Sequence, residues 1–225
     1  MAFWNRKAAY DRTKVLEAAE KARGRKRTGK AISEYKKILA VDPDDAHVNA
    51  RIAPLLFKKG KTDEAARAFA RAARVLEEKG FADKALAVYV QAATHFPMDE
   101  KLWSQAASIS IERGRRGDAV KYLVQGANHL DRSRGYRQKA VVLLERALEL
   151  EPYHLSATIS LARVLGRTGR KKDGLARLEN LVSHIGGAGL KQVRAAQFRL
   201  SPTPASLWRW LTAGRAKSRP APRSK

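Results

Sequence analysis

The sequence predicts an all-α protein, an α-solenoid built from about twelve antiparallel helices. Three observations predict it: glycines recur in regular pairs, apolar residues follow them at fixed spacing, and prolines close the pattern. The two glycines of a pair are 20 or 21 residues apart, and each pair is repeated after 54 or 55 residues. The glycines are Gly60 and Gly80, Gly114 and Gly135, and Gly169 and Gly189. Such periodicity is typical of an array of similar helical units.

Each glycine is predicted to stop a helix, because glycine adopts positive φ without a side-chain clash. Gly60 is followed by Ala65, Phe69 and Ala72, which would share one face of the next helix. The same pattern follows three more glycines, as Ala85, Tyr89 and Ala92, as Ala119, Leu123 and Gly126, and as Ala140, Leu144 and Ala147. Small residues on this face allow close helix packing, which indicates antiparallel helical hairpins.

The elements follow in order along the chain. A helical pair precedes residue 46, and three blocks of about 54 residues cover 46–99, 100–154 and 155–203. Each predicted unit is closed by a proline, which cannot continue a helix. These prolines are Pro43, Pro97 and Pro152.

Residues at two places resemble the tetratricopeptide repeat, a helix-turn-helix of about 34 residues. They are Ala31, Tyr35 and Ile38 before Pro43, and Trp103, Ala106, Ala107, Gly114, Ala119 and Leu123. The resemblance covers roughly residues 12–185 and implies a right-handed superhelix whose concave groove holds a peptide or a partner helix. The chain departs from it because helices at about 66–79 and 121–134 each serve two overlapping repeats. A standard repeat with an inserted helix explains the spacing equally well.

The net charge of +24 is concentrated at the two ends of the chain. Residues 1–30 carry a net +7 and residues 155–225 a net +13, which leaves +4 for 31–154. This distribution favours association with nucleic acid, acidic proteins or anionic membranes. The base composition of the genome, which can enrich arginine and alanine, explains the total charge equally well, although it explains the asymmetry poorly.

Basic residues collect at turns, and we expect these turns to form one basic edge of the array. The residues predicted to bind a partner there are Arg25, Lys26, Arg27, Arg170, Lys171 and Lys172. The alternative is that they oppose helix dipoles, since cations are common near helix C-termini.

Catalysis is not expected, because the sequence has no phosphate loop, nucleophile elbow or zinc-binding motif. His95, His129 and His184 occupy equivalent repeat positions, too far apart to share a metal, and are predicted to pack on late helix turns. We therefore expect no enzyme activity, no cofactor and no metal.

The two ends differ from the array. Residues 1–11 form a basic arm with Phe3 and Trp4, and residues 215–225 form a basic tail that is expected to be disordered. Between the array, 12–203, and this tail, residues 204–214 are predicted to form a terminal helix. Leu207, Trp210 and Leu211 would share its inner face and cap the array, and Trp208 and Trp210 are also candidate partner-binding residues.

The function that these features favour is a non-catalytic adaptor with an acidic protein partner. Nucleic-acid binding through phosphate contacts and peripheral membrane association through the aromatic and basic ends remain as alternatives. The absence of cysteine and of a signal-like apolar segment favours a cytoplasmic protein.

Overall fold

The computed structural model describes residues 11–213, and the arm at 1–10 and the tail from 214 onward lie outside the described residues. The described part holds twelve α-helices, one 3₁₀ turn at Arg134–Tyr136 and no strand, which confirms the all-α prediction. In order, α1 to α12 are Arg12–Gly24, Thr28–Val41, Ala46–Lys58, Thr62–Glu78, Ala82–His95, Glu100–Glu112, Arg116–Leu130, Arg137–Leu150, Leu155–Arg167, Lys171–Val182, Gly187–Leu200 and Pro204–Thr212.

The helices fall into the predicted N-terminal pair and three-helix groups. The chain divides into two compact units, residues 1–95 with α1 to α5 and residues 96–225 with α6 to α12. Within the first unit α4 packs on both α3 and α5, and within the second unit α7 packs on both α6 and α8. Each of these middle helices therefore packs on both of its neighbours, as would either a helix shared by two overlapping repeats or an inserted helix.

The residues that follow the glycines form the core. Ala65, Phe69 and Ala72 of α4 are at most 2% exposed, and Ala119 and Leu123 of α7 are fully buried. The equivalent residues of α5 and α8 are buried too, except for Tyr89, which is half-buried and donates its hydroxyl to Glu77. The periodic pattern thus identified the helix face on which the hairpins pack.

Four glycines end helices as predicted. Gly60, Gly80, Gly114 and Gly169 have φ between +71° and +86°, and the amide after each donates to a carbonyl five residues back. This is the left-handed C-terminal turn that favours glycine. The prediction was wrong for Gly135, which lies in the 3₁₀ turn, and for the last glycine of the series, Gly189, which lies in the first turn of α11.

Lys26 occupies the same kind of turn at the end of α1. Its φ is +57°, and the Arg27 amide donates to the Ala22 carbonyl at 2.9 Å. A side chain in this conformation strains the backbone. We expect Lys26→Gly to raise the free energy of unfolding by about 1 kcal/mol, because glycine relieves that strain. Lys26→Ala removes the same charge and keeps the strain, so equal unfolding midpoints for the two variants in urea would contradict this explanation.

Candidate functional site

A groove of about 740 Å³ lies in the first unit and is lined mainly by the odd-numbered helices α1, α3 and α5. On α3, His47, Arg51 and Pro54 are spaced by four and three residues, so they lie on one face of that helix. Ala50 of α3 and Ala87 of α5 also line the groove, and their small side chains leave room between the helices. The groove therefore has both polar and apolar walls and runs along a face formed by alternate helices of the first unit.

Cations outnumber carboxylates along the walls of this groove. It is lined by two acidic residues, Asp42 and Asp45, and by five basic residues, Arg12, Arg23, Arg51, Lys79 and Lys84. A low-dielectric cleft that holds an excess of one charge focuses its field on an incoming ligand. The groove is therefore suited to a ligand that carries negative charge.

Asp45 fixes Arg12 at one end of the groove. The Arg12 guanidinium donates to Asp45 Oδ2 from Nη2 at 2.5 Å and from Nε at 3.0 Å. Oδ1 of the same carboxylate accepts from the Val48 amide at 3.0 Å and so caps the start of α3. Burial raises the pKa of Asp45, but the bonds from Arg12 and Val48 outweigh it and leave the pKa below its usual value.

Glu20 of α1 holds the other two arginines. Its carboxylate accepts from the buried Tyr35 hydroxyl at 2.6 Å, from Arg23 at 2.7 Å between Nη2 and Oε2, and from Arg51. Burial raises the pKa of Glu20, yet these three donors lower it below its ordinary value. Burial, followed by the bond to Glu20, raises the pKa of Tyr35 to about 12. One carboxylate thus joins α1, α2 and α3 and balances only one of two arginines.

The remaining cations lie where α4 turns into α5. The Lys84 ammonium is 4.8 Å from the centroid of the Phe81 ring, and that ring is 49% exposed. Lys79 is the C-cap residue of α4 and is exposed. We call this end of the groove, at Lys79, Phe81 and Lys84, its mouth. The mouth combines an accessible aromatic ring with two lysines, a combination that suits an acidic and partly apolar ligand.

The pKa of His47 is lowered by its surroundings in the groove. Its pKa is lowered first by burial and then by the nearby Arg51, and Arg12 adds to this effect. Asp45 and Glu20 act in the opposite direction without reversing it. The surroundings of His47 therefore disfavour an additional positive charge.

A smaller basic pocket of about 330 Å³ lies in the second unit between α9 and α11. Its apolar wall includes Ile159 and Leu200, and Arg163, Arg167 and Arg199 also line it. Arg163 and Arg167 contact the buried Asp131, at 3.2 Å and 2.5 Å from Oδ2. Arginine charge thus exceeds carboxylate charge here as well.

The basic residues predicted from sequence lie away from these walls. Arg25, Lys26 and Arg27 are exposed on the turn between α1 and α2, in the first unit. In the second unit Arg170 is the N-cap residue of α10, and its side chain pairs with Asp173 at 2.8 Å. Lys171 and Lys172 follow it and are exposed in the first turn of that helix. The structure therefore leaves these residues on separate turns, and their binding role stays a prediction.

The two candidate tryptophans lie on different sides of α12. Trp210 stacks on Phe198 of α11 with 5.7 Å between ring centroids, whereas Trp208 is 69% exposed. The predicted inner face was wrong in part, because Leu207 and Leu211 are also exposed. The helix packs through Trp210 and the buried Ala213 instead, so it is rotated about its own axis relative to the prediction.

The equivalent histidines pack against aromatic rings. His95 lies 4.7 Å from Phe57 between ring centroids, His129 lies 5.6 Å from Trp103, and His184 lies 3.7 Å from Tyr153. These contacts confirm the packing role expected for late helix turns.

Sequence reasoning missed the groove residues Arg12, His47, Arg51, Lys79 and Lys84. The signal that could have found them is the helical spacing of His47 and Arg51 opposite the buried positions of α3. That signal identifies a site only when it is known that α1, α3 and α5 share one wall.

Residues 22–79 match the family model described as Tetratricopeptide repeat, and no curated protein matches the chain significantly. Among solved structures, the chain is similar to a putative kinesin light chain with repeats from Podosopora anserina, at 16% identity and a TM-score of 0.48, over 85% of this chain and 97% of that one. It is also similar to MamA, at 14% identity and a TM-score of 0.39, over 86% and 98%. A third similar structure is pilF of Pseudomonas aeruginosa, at 16% identity and a TM-score of 0.32, over 91% and 89%.

Proposed function

We propose that the chain is a non-catalytic scaffold of tetratricopeptide-like repeats that binds an acidic peptide or helix, and its match to the tetratricopeptide repeat over residues 22–79 supports this. Tetratricopeptide repeats generally mediate protein–protein interactions. The matched residues run from the end of α1 to the turn after α4, and they include most of the residues that line the groove in the first unit. The proposal rests on one observation, the excess of cations along the walls of that groove.

The chemistry of the groove indicates which peptide would fit. Carboxylates of the peptide would lie near Lys79 and Lys84 at the mouth and near Arg51 further in, where the carboxylate of Glu20 is shared with Arg23. Apolar side chains of the peptide would contact Pro54 and Val88. Acidic residues alternating with small or medium apolar ones satisfy both requirements.

Nucleic acid is the second candidate that the charge allows. Phosphates would neutralise the lysines equally well, and binding would weaken steeply with salt. Base recognition on a single strand generally uses several stacked aromatic rings. Phe81 is the single Phe, Tyr or Trp among the described residues that line the groove, so an acidic peptide fits the walls better.

Charge reversal at the mouth tests the proposal. We expect Lys79→Glu combined with Lys84→Glu to weaken binding of a fluorescein-labelled Glu/Leu-rich peptide about tenfold or more, because two attractive contacts become repulsive. The measurement is fluorescence polarisation at near-physiological salt. The matched control, Lys171→Glu with Lys172→Glu, changes the net charge equally on an exposed turn of the second unit. We expect it to change the affinity less than about twofold, since these two lysines do not line the groove and exposed charges are screened by salt.

The same titration separates the alternatives. Equal losses of peptide affinity in both variants would show that only the total charge matters. A larger loss of affinity in the control would assign binding to the turn at Lys171 and Lys172, which the sequence predicted. Tighter binding of an unlabelled oligodeoxythymidine competitor than of the peptide would favour nucleic acid. A specific complex should also raise the pKa of His47, because peptide carboxylates stabilise its protonated form. Proton NMR of the histidine ring would detect that change.

A further inference from the structure

The terminal helix α12 presents three large apolar side chains to solvent. Leu207 is 37% exposed, Trp208 69% and Leu211 59%, and their spacing places them on one side of the helix. We name this surface the α12 face. The other strongly exposed large apolar residues of the described chain are Val41, Phe81, Tyr136, Val142 and Tyr153, each on a different helix or turn. Isolated residues of that kind are ordinary, whereas a contiguous apolar patch indicates a contact surface.

The α12 face is held in place before any contact is made. Trp210 stacks on Phe198 with 12° between the rings, and Ala213 is buried at the end of the helix. Thr203 and Ser206 form a capping box, and Ser206 Oγ also donates to the Ser201 carbonyl at 2.8 Å. A nine-residue helix would be marginal alone, but this one is ordered by the array. Contact therefore requires no folding of the helix.

The sequence that contains α12 is strongly basic, although Glu179 of α10 lines a pocket beside the helix. Residues 180–225 contain nine lysines and arginines and no aspartate or glutamate, and five of the nine follow α12 at 215–225. That final segment contains no apolar residue larger than alanine or proline, so its own side chains are unsuited to cover Leu207, Trp208 and Leu211. The partner must therefore supply an apolar layer beside a negative one.

An anionic lipid bilayer has both layers, and we propose that the α12 face docks on one. Leu207, Trp208 and Leu211 lie at the boundary between headgroups and acyl chains, and the net positive charge of the sequence from residue 180 onward favours an anionic headgroup layer. A second copy of the chain fits less well, because pairing two α12 faces would bring together two segments of high positive charge. Nucleic acid fits less well too, since two of the three side chains are aliphatic and do not stack on bases.

Vesicle co-sedimentation of the full chain tests this proposal. The probe is a phosphatidylcholine vesicle that contains about one-third phosphatidylglycerol, with a pure phosphatidylcholine vesicle beside it. We expect binding to the anionic vesicle alone, and a loss of about tenfold or more on Trp208→Ser with Leu211→Ser. Val142→Ser is the matched control, because it removes a side chain that is 56% exposed on α8 and leaves the charge unchanged. We expect that variant to bind like the parent protein.

The outcomes are distinct from those of the groove experiment. Lys79→Glu with Lys84→Glu should retain vesicle binding, because those lysines belong to the first unit and contribute nothing to the α12 face. Equal binding to both vesicle types, or unchanged binding of the Trp208/Leu211 variant, would overturn the lipid proposal. So would a dimer in analytical ultracentrifugation that this variant dissociates, since the α12 face would then be covered by a second copy. A circular dichroism spectrum like that of the parent would confirm that the variant is folded.

Discussion

We expect Gly126→Ala to lower the free energy of unfolding by about 2 kcal/mol, because α7 has no room for a methyl group at that position. A Cβ at Gly126 would lie 2.5 Å from Cγ and 2.8 Å from Cβ of Trp103. Trp103 cannot easily move away, since it is 4% exposed, donates from Nε1 to the Pro97 carbonyl at 3.1 Å and stacks on His129. Accommodating the methyl therefore requires α6 and α7 to separate.

Gly117→Ala is the matched control in the same helix. A Cβ there would meet only Glu151 Oε1, at 3.9 Å, and the position is exposed. Alanine should stabilise α7 at this site by about 0.5–1 kcal/mol, because it restricts the unfolded chain and suits a helix. Urea unfolding followed by tryptophan fluorescence compares the two. If the free energy of unfolding changed with the same sign in both variants, contact with Trp103 would not be what makes alanine unfavourable at position 126.

These two glycines illustrate how much of the fold the sequence predicts. The repeat register located Gly126 on the buried face, because its equivalents Ala72, Ala92 and Ala147 are also small. The register failed at Gly135 and Gly189, where the repeat spacing continues but the local backbone differs. At Gly189 the backbone has no positive φ, and a Cβ would instead approach the end of the Ile185 side chain, at 2.5 Å from Cδ1. Periodicity shows that a position is special without showing whether conformation or space makes it so.

Much less of the candidate site is accessible from sequence. Clusters of lysine and arginine are conspicuous along the chain, and they led to the exposed turns at Arg25–Arg27 and Arg170–Lys172. The groove instead takes single residues from α1, α3 and α5, which are far apart in sequence. A count of basic residues also overstates the positive charge that is available to a ligand, because Arg12 and Arg23 already pair with carboxylates. The net charge of a wall depends on these pairings, and only the folded chain defines them.

No helix between residues 11 and 213 combines the length and the hydropathy needed to cross a bilayer. The apolar surface of α12 is of another kind, since it occupies one side of a short helix whose other side packs on α11. Sequence spacing grouped Trp210 with Leu207 and Leu211, but an aromatic partner at Phe198 rotates Trp210 inward. The stacking of Trp210 and the burial of Ala213 together decide which side of α12 is exposed.

Glu20→Gln should have two opposite effects, because Glu20 both joins helices and neutralises the groove. Its carboxylate accepts from Tyr35, Arg23 and Arg51, so the variant loses two ion pairs and leaves the Tyr35 hydroxyl with a neutral acceptor. We expect the free energy of unfolding at neutral pH to fall by about 1–3 kcal/mol. The same change adds one net positive charge beside the groove, and we expect affinity for the Glu/Leu-rich peptide to rise about threefold.

Acid should reduce the difference in stability between the two proteins. The pKa of Glu20 is lowered in the folded state from its ordinary value of 4.5, so its contribution is present above that value and is lost as the pH falls below it. Urea midpoints measured from pH 7 to pH 3 should therefore converge. Tyr35→Phe is the control, because it removes the hydroxyl bond and leaves the charge of Glu20 in place. It should lower stability without raising peptide affinity, and an equal gain in affinity would show that loosening of the groove, rather than its charge, controls binding.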